Sequence, residues 1–131
     1  MKNDIATRAD IELLVRRFYD KVVADPVIGY IFTDIARVNW EKHLPVMFDF
    51  WDNAIFYSGT YAGNPMKLHE GLNRMHPLKE TDFKQWILLF VSTVDELFEG
   101  EKAELAKQRA ISISTVMQIK ILHAGISRPD A

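Results

Sequence analysis

At 131 residues, 48% of them hydrophobic, the chain is long enough for one compact core and too short for a second. It has no cysteine, which excludes a disulfide framework, thiolate-held zinc or iron–sulfur centres and attachment of a cofactor through C-x-x-C-H. A formal charge of −2, from 16 Lys and Arg against 18 Asp and Glu, lacks the basic footprint of a nucleic-acid binder. The opening Met1-Lys2-Asn3-Asp4 leads into an amphipathic stretch rather than an apolar leader, and no uninterrupted apolar run approaches the roughly 18 residues of a membrane span. The expectation is a single cytoplasmic domain over 1–131, monomeric, with no nucleic-acid or membrane partner and with frayed ends at about 1–8 and 124–131.

The first element is a helix from Asp10 to Asp25. Ile11, Leu14, Val15, Phe18, Val22 and Val23 recur at helical spacing, Asp10 is the candidate N-cap and Pro26 the stop. Val27 to Thr33, with Ile28, Tyr30, Ile31 and Phe32 around Gly29, reads as a single helical turn. Asn39 is the candidate cap of the next helix, on which His43, Met47, Phe50, Trp51 and Ala54 share a face. Pro45 disfavours a helical Leu44, so a tight or kinked start is expected near His43.

A connection rich in Gly, Asn and Pro runs from Ser58-Gly59 to Asn64-Pro65 and leads to a short segment carrying His69. After Pro77 comes the strongest pattern, Phe83, Trp86, Ile87, Phe90, Val91, Val94, Leu97 and Phe98, closed by Gly100 as a C′ residue. The last helix is expected from about Glu101 to about His123, burying Leu105, Ala106, Ile113, Val116 and Met117 or their neighbours. With no alternating segment, repeat or low-complexity tract, the fold class is all-α.

The chemistry narrows by elimination. Glu-x-x-His pairs for a di-metal bundle and His-Glu-x-x-His for a zincin are both missing. The six glycines form no phosphate-cradling motif, and no serine sits in a G-x-S-x-G elbow. What remains is an excess of large apolar and aromatic residues with Tyr19, His43 and Trp86 set among them. That suits a flat apolar cofactor needing one ligand and a few hydrogen-bond donors, a description that haem fits.

Five stretches then carry a resemblance: "RRFYDKV" around Tyr19, "WEKHLPVMFDFW" from Trp40, "GTYAGNPMKLH" ending at His69, "FKQWILLF" around Trp86 and "AKQRA" from Ala106. In this order and spacing the chain resembles the truncated haemoglobins of the third group, from about Ile11 to about Ile121. The resemblance implies a shortened globin, two helices over two, around a non-covalent haem b. It makes His69 the proximal iron ligand, with His76, seven residues on, as the alternative if the register shifts. It assigns Tyr19, His43 and Trp86 to the distal side, and Phe32, Met47, Phe50, Trp51, Tyr61, Leu72 and Phe90 to the haem pocket.

The function so implied is reversible capture of a diatomic gas: oxygen, nitric oxide or carbon monoxide. The alternative is an enzyme, dioxygenating nitric oxide or using peroxide, which would need a separate reductase because the chain has no flavin or nicotinamide domain. Taken singly, the same residues have plainer readings. Tyr19 is then a core-edge aromatic with its hydroxyl in water, Trp86 a packing residue, and His43 and His123 exposed or structural. A helical interaction domain without haem is the reading those would add up to.

Overall fold

Thr7 and Asp10 start the first helix by capping each other. The Thr7 hydroxyl accepts from the Asp10 N–H at 3.2 Å, and the Asp10 carboxylate accepts from the Thr7 N–H at 3.1 Å. Helix α1 (Arg8–Ala24) therefore begins one turn earlier than Asp10 as N-cap would have it. The computed structural model describes residues 2–35, 39–57 and 79–126, and within them the side chains of 2–34, 39–57 and 79–119.

Ile11, Leu14, Val15, Phe18, Tyr19 and Val22 form the buried face of α1. Val23, expected to join them, is 38% exposed, because one residue step turns it about 100° away from Val22. The helix stops at Asp25, whose carboxylate accepts the N–H groups of Val27 and Ile28, both at 2.9 Å. Gly29 follows so close to α1 that a Cβ there would stand 2.7 Å from the Val23 carbonyl oxygen. The helical turn expected over 27–33 is present, and it continues as a π-helical turn, Ile31–Ile35.

Helix α2 (Trp40–Phe56) runs through Pro45, which has no N–H to offer the carbonyl four residues back, and buries Met47, Phe48, Trp51 and Ile55. Asn39 precedes it as expected, although its side chain makes no capping bond. Helix α3 (Glu80–Leu97) buries Phe83, Phe90, Thr93 and Val94 and ends with Phe98 as C-cap. Gly100 is thus not the C′ residue of that helix. It adopts φ +141° directly before α4 (Glu101–Ile126).

On α4 the buried residues are Ala103, Ala106, Ala110, Ser114 and Met117, at steps of three and four. Leu105 and Ile113 are half-buried, and Val116, expected inside, is 42% exposed. The small residues take the inner face because they admit the neighbouring helices closely, which the larger Val116 would not. Helices α1 and α2 pack together, as do α3 and α4, and contacts of α1 with α3 and of α2 with α4 join the two pairs. This is the two-over-two arrangement, all-α, with Phe18, Trp51 and Phe90 at the centre of one shared core. No helix among the described residues is long and apolar enough to cross a membrane.

Two polar clamps tie the chain together away from that core. Asp4 accepts the N–H groups of Lys102 and Ala103, both at 2.9 Å, and so caps α4 across nearly the whole sequence. Burial pushes the Asp4 carboxyl up, but the N–H bonds from Lys102, Ala103 and Ile5 outweigh it and hold it below the ordinary carboxylate value. Ile5 is only 2% exposed, so the residues before α1, expected to fray, are docked instead. Arg8 spreads its guanidinium over Asp49 at 2.8 Å and Asp52 at 3.0 Å, joining the start of α1 to the middle of α2.

Candidate ligand-binding site

Tyr19 lies on the inner face of α1, 8% exposed, with its hydroxyl 3.3 Å from Nε2 of His43. His43 reaches it from the first turn of α2, where its N–H donates to the Asn39 carbonyl at 2.8 Å. Burial in this apolar setting pushes the Tyr19 phenol well above its ordinary range, so it stays neutral and keeps its proton. Which of the two groups donates depends on the imidazole tautomer.

Rings enclose this polar pair. Phe18, Trp40 and Phe32 stand 5.0, 5.1 and 6.3 Å from the Tyr19 ring, and Trp40 stands 5.6 Å from the imidazole. The π-helical turn supplies Phe32, which in turn stacks on Trp40 at 6.5 Å. Such ring pairs contribute about 0.5–1.5 kcal/mol each beyond the area they bury.

Trp86 sits one layer away. It is half-buried on α3, edge-on to Phe18 at 5.6 Å and stacked on Phe90 at 6.0 Å. Phe18 therefore links Trp86 to Tyr19 among the described ring contacts. Of the expected wall residues, Trp51 stacks on Phe90 at 4.5 Å deep in the core, Phe50 meets Trp51 edge-on at 5.3 Å, and Met47 is buried on α2. His69, Tyr61, Leu72 and the alternative His76 lie outside the described residues, as does the side chain of His123. No cluster of three or more His, Cys, Asp or Glu that would hold a bare metal ion occurs among the described residues.

Sequence reasoning did not single out Trp40. The signal was present, since Trp40 precedes His43 by three residues and must share its helix face. Phe32 and Trp40, both half-buried, form an apolar ledge beside the tyrosine–histidine pair, and Leu44, Phe50, Trp86 and Leu89 are likewise half-buried against the core.

No protein-family model matches the chain. A curated protein, the group 3 truncated hemoglobin ctb of Campylobacter jejuni, is 28% identical over 128 residues, covering 95% of this chain and 98% of its own length. The crystal structure of a group III truncated hemoglobin from Campylobacter jejuni superposes with a TM-score of 0.79 at 27% identity, covering 92% of this chain and 95% of the other. The chain is similar along nearly its whole length to the group III truncated haemoglobins. Both comparisons span nearly its whole length, so the truncated-globin fold accounts for the four described helices and not for one pair alone. The globin family implies a haem, and the ledge fits one: flat rings along the core edge, with hydroxyl and imidazole groups set among them.

Proposed function

We propose that this protein captures a diatomic gas reversibly at a ferrous haem b, which His69 would hold by its iron, with Tyr19, His43 and Trp86 serving the gas side. Bound haem would supply an iron centre open to a small ligand on one side, and the chain would decide how firmly that ligand is held. The observation that carries the reading is the buried Tyr19 hydroxyl against His43 inside a ring cluster, in a chain similar to truncated haemoglobins along most of its length.

Each residue has a distinct task. Tyr19 offers an O–H that burial keeps protonated, so a ligand carrying partial negative charge meets a neutral donor. In the tautomer with the proton on Nε2, His43 donates to the Tyr19 oxygen and leaves the phenol proton free for the gas. The Trp86 indole N–H is the second donor, approaching from α3. Phe32, Met47, Phe50, Trp51 and Phe90 keep water from the site, and Tyr61 and Leu72 would add to that wall. Oxygen, which gathers more partial negative charge than carbon monoxide once bound, would gain more from these donors.

The test is the absorption spectrum of the haem-loaded chain, reduced under argon and then exposed to gas, beside His69→Ala. The expected result is a reduced form that takes up oxygen, with haem retention lost in the variant or rescued by added imidazole. Unchanged axial spectra in His69→Ala would move the ligand to His76. A full chain that shows no Soret band after haem addition would overturn the reading.

A further inference from the structure

The Tyr19–His43 contact, at 3.3 Å, is long for a hydrogen bond and too weak to fix two side chains by itself. The backbone beneath His43 is also incompletely braced. The first turn of α2 has no side-chain cap from Asn39, and Pro45 leaves the Glu41 carbonyl without its helical donor. Ring packing is a second restraint that the described residues place on the pair.

Trp40 is placed to supply it. It is the first residue of α2 and touches three members of the cluster that come from three separate elements. Its ring lies 5.1 Å from Tyr19 on α1 at an interplanar angle of 55°. It lies 6.5 Å from Phe32 on the π-helical turn at 24°, and 5.6 Å from His43 on its own helix at 73°. No other ring among the described contacts meets all three. A flat, rigid side chain with two rotatable bonds confines both partners with little entropy to lose, which a flexible apolar residue of similar volume would not do.

We infer that Trp40 is the positioning residue of the site: its ring fixes Tyr19 Oη and His43 Nε2 relative to one another, so that removing it loosens the pair while leaving both groups in place. The inference rests on the gas-binding reading only for its second readout. Trp40 need touch neither cofactor nor gas to act in this way.

Trp40→Phe, Trp40→Leu and Trp40→Ala are compared in the full chain. In the haem-free protein, the nitrogen chemical shifts of the His43 imidazole report its hydrogen-bonded state. In the haem-loaded protein, the infrared stretching band of carbon monoxide and the oxygen off-rate report the surroundings of the gas. Trp40→Leu is expected to average the His43 signals, split the carbon monoxide band and speed oxygen release about tenfold, the loss of roughly one hydrogen bond. Trp40→Ala should do the same, and Trp40→Leu, which keeps part of the apolar volume, decides the matter if the alanine variant does not fold. Trp40→Phe, still a flat ring, should stay within about twofold of the parent.

Parent-like His43 shifts and off-rate in Trp40→Leu would overturn the inference. So would a phenylalanine variant as impaired as the leucine one, since the indole N–H and not ring packing would then be responsible. If the parent chain takes up no haem, the gas-binding reading fails separately, and the His43 shifts in the haem-free protein still decide the role of Trp40.

Discussion

The α3–α4 seam and the α1–α2 site bury apolar surface in opposite ways. At the seam, Ala103, Ala106, Ala110 and Ser114 give α4 a smooth inner face, and the buried polar side chains among the described residues there are the hydroxyls of Thr93 and Ser114. Thr93 satisfies its own by donating to the Leu89 carbonyl at 2.6 Å, and Ser114 accepts from Gln118 at 3.2 Å. At the site, large rings meet at edge-to-face, tilted and stacked angles, several remain half-buried, and a phenol and an imidazole sit among them. A seam of small residues closes on itself and leaves nothing to bind. A set of bulky rings that cannot all be covered leaves a ledge, and its polar pair gives that ledge chemistry.

Phe18 joins the two regions, touching Tyr19, Trp86 and Phe90, and its removal breaks the comparison most severely. Phe18→Ala should cost about 3–5 kcal/mol in denaturant unfolding. If Phe18 also transmits core packing to the site, the carbon monoxide stretching band of the loaded protein will broaden as well. Ala106→Leu sharpens the contrast from the other side, because added methylenes on the fully buried seam should cost about 1–3 kcal/mol. Its gas off-rate should remain that of the parent, and a changed rate would mean that the seam and the site are not separable.

Asp4→Asn probes the clamp that caps the seam, with an expected loss of about 1 kcal/mol at neutral pH. Because the folded Asp4 carboxyl is held below its ordinary value, its stabilisation is complete above the unfolded value of about 4 and is lost as pH falls through the folded one. The gap between parent and variant in urea titrations should therefore close in acid and not in alkali. Tyr19→Phe should have the smallest effect on stability, within about 1 kcal/mol, since it removes a single long hydrogen bond. In stopped-flow displacement it should nevertheless speed oxygen release about tenfold, and an unaltered rate would take the hydroxyl out of gas binding.

Much of the fold was legible in the chain. Ile11, Leu14, Val15, Phe18 and Val22 announced α1, and the run from Phe83 to Val94 announced α3, because large apolar residues at helical spacing leave few alternatives. The family resemblance assigned Tyr19, His43 and Trp86 to one side of the cofactor; the structure puts Tyr19 and His43 3.3 Å apart, whereas Trp86 meets Tyr19 only by way of Phe18 among the described ring contacts. The face of α4 was harder to read: alanines carry too weak a signal to outrank Val116, yet at a close helix contact they are the residues that fit. Gly100 read as the end of one helix, whereas it serves the start of the next, where a Cβ would stand 2.5 Å from the Asp4 carboxyl carbon.

By itself, then, the sequence determined what local periodicity and backbone chemistry decide: the four long helices among the described residues, their order, and the stop of the first at Asp25-Pro26. Only the tertiary structure decided which residues meet across long separations. Asp4 on the N-terminus of α4, Arg8 between Asp49 and Asp52, and Trp40 against both Tyr19 and Phe32 are pairings of that kind. The physical reason is that a helix pattern depends on neighbours three and four positions apart, whereas a cap, an ion pair or a ring contact between elements depends on how whole helices settle against one core.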